Sequence, residues 1–543
     1  MPTVNLSRKE FDKLVGKKLS LDKLKDRISM LGTDLEEITE SEIIVEVFPN
    51  RPDMLSEQGF ARAFSSFIGV KPGLRKYNIK KSTDRVIIDN FVRDVRPYTV
   101  CAIVKNINFD EEKIKQVIQI QEKLHVSIGR NRKKIAIGIY PFEKIRTPIY
   151  YKALEPNKIK FKPLEFDKEL TALQILSKHP AGREYGYLLD GKKKFPVFMD
   201  SNNKVLSMPP VINSEDTGKI TKKTKDVFIE CSGFNLDAQE KCLNIIVTAL
   251  IDMGGEAYSM ELQYGDKTIT TPDFEPKKMK LDLDYANKVL GLKLKESDIK
   301  KYLEMMGFDY RKKTIFIPPY RADILHPIDL IEDIAIAYGY ENFKEEIPNV
   351  STIGSEDPFY KFKDKIADIL TGFGLIEVNN YNLTNKKIQS DKMNFKTENI
   401  EVKNTVNAEY NALRSWIIPS LLDTLENNKH YDYPQNIFEI GYCFSEKEES
   451  KLCVMLCGNK VDFTSVKQIL DYLINDLGFK YSADEIKHPS FIEGRVGSVS
   501  INKKTVGVIG EIHPEVLGNF RLEMPVSCFE INLNEIFSLF YKQ

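Results

Sequence analysis

Apolar and polar residues recur with two different periods along this chain, and each change of period marks an element. Helical spacing runs from Ser7 to Val15 and again near Leu21 to Leu31. SEIIVEVFP then alternates strictly and predicts a strand over Glu42 to Phe48. The turn PNRPDMLS, Pro49 to Ser56, is dense in turn-forming and N-capping residues, and the helix EQGFARAFSSFIG that follows stops at Gly69. RVIIDNFVRDVRPYTVCAIVKNINF has a strand pattern starting near Val86, and VFIECSGFNLDAQEKCLNIIVTALIDMGG passes from strand to helix before ending at Gly254 and Gly255.

Farther on, LDLDYANKVLGLKLKESDIKKYLEMMGFDY predicts two short helices around Gly291, with Ser297 capping the second. TIFIPPYR is a strand ending in a proline pair, and an acidic helix starts at Pro327. Beyond Ser355 come the helix KFKDKIADILTGFG, strand-like LIEVNNYNLT, NIFEIGYCF and KLCVMLCGN, the helix SVKQILDYLINDLGF, and short strands in RVGSVSINKKTVGVIGEI and SCFEINL. Helices among many short, antiparallel-looking strands predict a multidomain α+β protein. The divisions fall at 1–85, 86–265, 266–348 and 349–543; the third is small, helical and winged-helix-like.

Composition supports that division. At 543 residues the chain is too long for one core. A 42% hydrophobic and 29% charged balance suits several soluble domains. No apolar run reaches transmembrane length, and the start, MPTVNLSRKEFDKLVG, has no apolar signal region, so a cytoplasmic protein with no membrane partner is expected. The seven cysteines are scattered without zinc-type spacing, which predicts buried free thiols. Lys+Arg and Asp+Glu both number 79, so any nucleic-acid contact must use local patches or a partner chain. One such patch is GRNRKK, Gly129 to Lys134: basic enough for phosphates, equally suited to a solvated loop, and without aromatics for base stacking.

The densest chemistry lies in PPYRADILHPIDLIEDIAIAYGY, Pro318 to Tyr340. Asp329, Glu332 and Asp333 stand at i, i+3 and i+4, on one helical face, and Asp323 precedes the first turn. A hard cation such as Mg²⁺ would offset their repulsion. The helix dipole also stabilises acids in a first turn, and spacing alone leaves both readings open.

The same run resembles the magnesium-bearing domain of phenylalanyl-tRNA synthetase β subunits, with its Arg-x-Asp-Ile start, an Asp six residues on, an acidic pair and a closing aromatic-Gly-Tyr. Asp323, Asp329, Glu332 and Asp333 fall on its acidic positions, with Asp333 where Glu is also common. The resemblance spans nearly the whole chain, in the length class of archaeal and eukaryotic members. VFPNRPDMLSEQGFARAF is similar to the N-terminal domain, where the Asn-Arg-Pro-Asp turn has a structural role. HPAGREYGYLL, PPVINSEDTGKI and IIVTAL are similar to the editing domain, which hydrolyses tyrosine wrongly attached to tRNA. A second hydrolytic site is useful because an apolar pocket rejects an added hydroxyl only modestly.

The resemblance makes His179, Arg183, Glu184, Asn213, Ser214, Thr217 and Glu230 candidates for editing. Spacing does not rank them, and His179 suits a loop and Glu230 a strand end equally well. ALRSWIIPSLLDTLENN, NIFEIGYCF, HPSFIEGRVG and VIGEIHPEVLGNF are similar to the catalytic-like class II module. That module needs Gly-x-Gly-x-x-Arg to hold ATP, whereas GFGLIE, Gly372 to Glu377, ends in Glu; Arg414 and Arg495 are expected to be structural or to face tRNA or an interface. The resemblance therefore implies a non-activating β subunit of an (αβ)₂ ligase. An α subunit would use ATP and Mg²⁺ to join phenylalanine to tRNA(Phe), while this chain would assemble, contact tRNA and edit. The rival readings are a free-standing deacylase of mischarged tRNA and a non-enzymatic RNA-binding adaptor.

Overall fold

The computed structural model describes residues 2–350, 352–405, 407 and 409–540. The chain forms two compact units, Met1–Ile347 and Pro348–Gln543.

In the first unit, the strand Glu42–Glu46 is the centre of a three-stranded antiparallel sheet between Thr3–Ser7 and Asp34–Ile38. The strand Thr3–Ser7 was not anticipated. It is an edge strand only five residues long, too short for its alternation, with Val4 and Leu6 buried, to separate from the helical spacing that follows at once. The helix Arg8–Val15 follows it directly and ends on Gly16 at φ +82°, a conformation open to glycine. Ser56 caps the helix Glu57–Phe67 by accepting the Gly59 N–H.

The single strand pattern expected after Val86 divides in two. Arg85–Ile88 joins a seven-stranded mixed sheet, whereas Tyr98–Lys105 joins a four-stranded antiparallel sheet of order Glu256–Tyr258, Tyr98–Lys105, Val227–Gly233, Ile135–Pro141. A short 3₁₀ turn, Asn90–Asp94, separates them, capped by Asp89. The helix Leu236–Asp252 packs along this smaller sheet.

Helices Leu283–Leu290 and Glu296–Met305, the acidic helix Pro327–Tyr338 and a three-stranded sheet, Lys277–Lys280, Thr314–Ile317 and Asp309–Arg311, complete the first unit. The second of these helices starts two residues earlier than expected, with Lys295 rather than Ser297 as its cap. Asp298 Oδ2 accepts the Lys295 N–H, so the acid at the third position closes the turn.

Two guanidinium groups fix the geometry of this unit, one between separate segments and one within a turn. Arg62 donates to Asp252 Oδ2 at 2.6 Å and stacks 4.2 Å above the Tyr320 ring. Arg51 forms a two-pronged bond with Asp53, both distances 2.9 Å, inside the Asn-Arg-Pro-Asp turn.

The second unit is built on a seven-stranded sheet, antiparallel except where Ile376–Glu377 runs parallel to Gln435–Phe444. Most of LIEVNNYNLT is not strand: only Ile376–Glu377 and Leu383–Thr384 pair. One core lies under the helices Pro358–Gly372 and Phe463–Asp476, and another under Ile418–Asn428 and Pro514–Asn519. All seven cysteines are buried and unpaired, as their spacing suggested.

Arg414 is 1% exposed and donates to Glu439 Oε1 at 2.6 Å and to the Tyr442 carbonyl at 2.8 Å. Gly441 makes room for this pair, since a Cβ there would overlap Arg414 Nη2 and crowd Glu439 Oε1. Displacing either member leaves a buried charge uncompensated. Gly441→Ala is therefore expected to destabilise the second unit by about 3 kcal/mol, measured by urea unfolding of the full chain.

Candidate active site

The register of the four-stranded sheet places Glu230 between Cys101 on one neighbouring strand and Gly138 on the other. Partners across an antiparallel ladder share a face, so only glycine at 138 leaves space for the Glu230 carboxyl and for Tyr140. A Cβ at Gly138 would overlap the Tyr140 hydroxyl and come within 2.6 Å of Glu230 Oε1.

The Tyr140 hydroxyl lies 2.8 Å from Ser207 Oγ, 3.1 Å from Glu230 Oε1 and 3.4 Å from Asn213 Oδ1. Glu230 Oε2 is buried with no hydrogen-bond partner among the described residues. Burial pushes the Glu230 carboxyl up to about 8, against the Tyr140 hydrogen bond and the charge of Arg96, which pull it down.

Glu230, Ser207 and Asn213 line a cavity of about 360 Å³. Its apolar wall includes Ile114, Val117, Ile137 and Ile139, and Pro209 and Pro210 also border it. An apolar cleft with a few convergent polar groups, one strongly perturbed, is the usual form of a small-molecule site.

His125 and Arg132 also reach this cavity. His125 Nε2 accepts the Ile137 N–H at 2.8 Å, which leaves Nδ1 to donate to Glu122 Oε1 at 3.2 Å. Burial lowers the affinity of His125 for a proton, so the ring is neutral at pH 7. Arg132 donates to the Val211 carbonyl and to Glu122, and stacks 4.2 Å over Tyr185. Arg130, Asn131 and Arg132 all have positive φ, a rare run outside glycine that turns the basic loop sharply. Arg132 is thus drawn inward, while Arg130, Asn131 and Lys133 remain exposed.

Of the residues singled out in sequence, Asn213 and Glu230 enter the cavity. His179 lies elsewhere: its ring caps the helix Pro180–Tyr185, meets the Leu164 carbonyl at 3.0 Å and packs on Phe166. Arg183 donates to the Ser177 carbonyl, and Glu184 is exposed. Ser214 is buried, and the Thr217 hydroxyl donates to the Val205 carbonyl. Tyr140, Ser207 and His125 were not anticipated. The signal for Tyr140 was the alternation of IAIGIY, which puts it on the Gly138 face.

The acidic segment is arranged differently from a four-carboxylate ligand set. Arg321 donates to Asp323 at 2.9 and 2.7 Å and to Asp333 at 2.6 Å. Burial pushes Asp333 up, whereas the Arg321 charge holds Asp323 low despite its burial. Asp329 Oδ2 accepts the N–H groups of Leu325 and His326, both at 2.7 Å. Asp329 and Glu332 line an open groove with Tyr340 and Phe343. Among the described residues no three carboxylate, histidine or cysteine side chains converge as a cation would require. The four acids therefore do not fit one ligand set within this chain: two are compensated by arginine, and two face the groove.

Residues 279–340 match the tRNA synthetase B5 domain family, and residues 344–533 match the phenylalanyl tRNA synthetase beta chain CLM domain family. The chain is 42% identical to the phenylalanine–tRNA ligase beta subunit of Pyrococcus horikoshii, over 99% of this chain and 100% of that protein. Beta subunits from Thermococcus kodakarensis and Archaeoglobus fulgidus are 42% and 38% identical, each over 99% of both chains. The crystal structure of an N-terminal fragment of the phenylalanyl-tRNA synthetase beta-subunit from Pyrococcus horikoshii superimposes with a TM-score of 0.60 at 40% identity, covering 62% of this chain and 99% of the fragment. The chain belongs to the family of phenylalanine–tRNA ligase beta subunits.

Proposed function

We propose that this chain is the non-activating subunit of a cytoplasmic (αβ)₂ phenylalanine–tRNA ligase, and that the cavity around Glu230 hydrolyses tyrosine wrongly esterified to tRNA(Phe). The observation that carries the second part is the bond between a phenol and Glu230 inside that cavity. Tyr140 already shows that this carboxyl accepts a phenolic hydroxyl. An entering tyrosyl side chain would add its own hydroxyl to the network of Tyr140, Ser207 and Asn213. A phenylalanyl side chain would not, and a site built around a hydroxyl strongly rejects the analogue that lacks it. In hydrolysis a water oxygen bonds to the carbonyl carbon, the bond to the ribose oxygen breaks, and that oxygen takes a proton. Ser207 and Asn213, beside Glu230, are placed to orient the ester.

Four divisions of the chain accord with these roles: an N-terminal domain at 1–85, an editing domain at 86–265, a small winged-helix-like domain at 266–348 and a catalytic-like module at 349–543. ATP would be used in the α subunit. Mg²⁺ bound to this chain would be held by Asp329 and Glu332 at the groove, with retained water or partner groups filling the remaining positions. Asp323 and Asp333 would support the site from behind through Arg321.

Three outcomes are expected. Co-expressed with its α subunit, the chain should support ATP-dependent charging of tRNA(Phe) and hydrolyse Tyr-tRNA(Phe) but not Phe-tRNA(Phe). Deacylation by the chain alone, with no gain on adding the α subunit, would favour a free-standing hydrolase; tRNA binding without either activity would favour an adaptor. Glu230→Gln should slow Tyr-tRNA(Phe) hydrolysis by about twofold to tenfold, the worth of a hydrogen bond between neutral groups, and leave phenylalanine charging intact.

The same variant has a signed effect on stability. A carboxyl whose folded pKa is raised holds its proton in the native state and loses stability as pH rises from its ordinary range through about 8. Glu230→Gln should therefore be more stable than the parent above pH 8 by a few kcal/mol, at about 1.4 kcal/mol per pKa unit. The gap should close near pH 4, which thermal unfolding across pH would show. Asp329→Ala and Glu332→Ala should lower Mg²⁺ content or α-subunit association; normal values of both in both variants would rule out a cation at the groove.

A further inference from the structure

Arg51, Arg62, Arg75 and Arg321 line one small cavity of the first unit, about 20 Å³ in volume. Arg51 stands in the Asn-Arg-Pro-Asp turn and Arg62 on the helix Glu57–Phe67. Arg75 lies in the stretch after that helix, and Arg321 ahead of the acidic helix. Among the described residues Asp53 is the single carboxylate in the lining. The acids that serve Arg62 and Arg321, namely Asp252, Asp323 and Asp333, stand outside it. Arg75 meets no carboxylate at ion-pair distance among the described residues; its Nη2 donates to Ser65 Oγ at 2.9 Å.

The unpaired polar groups of this lining are all donors. Nε and Nη2 of Arg62, Nε of Arg75 and Nη1 of Arg321 are buried with no hydrogen-bond partner among the described residues. A guanidinium can only donate. The acceptors nearby are engaged: both Asp53 oxygens accept from Arg51, and the Glu304 carbonyl accepts from Ser66 Oγ and the Gly73 N–H. Buried donors in folded proteins are paired, with water or an ion where the chain supplies nothing. A water accepts from two of these donors but brings two hydrogens that need acceptors of their own. An anion accepts from several donors, brings none, and offsets the surplus of guanidinium charge facing the cavity. The volume admits one water-sized particle, which selects a single-atom anion over a phosphate or a carboxylate.

We propose that this cavity binds one halide ion, chloride in the cell, through the N–H groups of Arg62, Arg75 and Arg321. The ion clamps the helix Glu57–Phe67 and the stretch after it to the segment that leads into the acidic helix.

Bromide locates the site. Crystals of the full-length chain grown in sodium bromide, measured at the bromine edge, should show an anomalous peak in this cavity within hydrogen-bond reach of the three side chains. Density there without anomalous signal is a water, and it overturns the proposal. In solution, exchanging sodium glutamate for sodium chloride at constant ionic strength should raise the Tm of the parent relative to that of Arg75→Gln by a few degrees, since only the parent gains a ligand. The same anion response in both chains overturns the clamp. Should Arg75→Gln not fold, the bromide peak in the parent decides alone.

Discussion

Arg321 puts a full positive charge into the interior of the first unit, and it can stay there only because Asp323 and Asp333 both reach it. Such a group is costly to desolvate, and each carboxylate alone would be as costly. Their union holds the entry to the acidic helix against its second turn. Arg51 and Asp53 repeat the same two-residue fork in the Asn-Arg-Pro-Asp turn, close enough for their charges to be felt at Arg321. Arg62 extends the network to Asp252 at the far end of another helix. Arg62 and Asp252, 190 residues apart, are thus fixed by a directional bond, which hydrophobic burial alone would not orient.

The cavity depends on a related constraint with the opposite resolution. Glu230 is buried without a cation against it, so its charge is disfavoured and its proton retained over much of the neutral range. A carboxyl in that state can both donate to and accept from a hydroxyl. The geometry that keeps it there is steric: Gly138 opposite, Tyr140 one pleat along, and apolar side chains walling the rest. The basic loop next to it spends three left-handed residues to turn Arg132 inward, so its cationic character is only partly available to solvent.

In the second unit helices cover both faces of the sheet, each pair over its own core, and Glu530 accepts the N–H groups of Ile417 and Ile418 where the helix Ile418–Asn428 begins. Arg414, placed in the sequence by its likeness to a synthetase module, is sealed against Glu439. Its position accords with a structural arginine. Arg495 is more open and pairs with Glu511.

Much of the architecture was legible along the chain. Helices such as Glu57–Phe67, Leu236–Asp252 and Pro327–Tyr338, and the strand Glu42–Glu46, follow from apolar period and capping, because these are local properties that need no partner. Motifs in the acidic segment and the terminal module also carried the family, since residue identity at fixed spacing survives without knowledge of the fold. What spacing did not decide was which charges neutralise which. Asp323 and Asp333 pair with Arg321 instead of joining Asp329 and Glu332, and His179 turns to cap a helix while Glu230 meets Tyr140 ninety residues away. Those outcomes depend on distances and burial across the fold. Sequence determined the elements and the identity of the ionisable groups; tertiary structure decided their partners, because the cost of a buried charge is set by whatever the folded chain brings beside it.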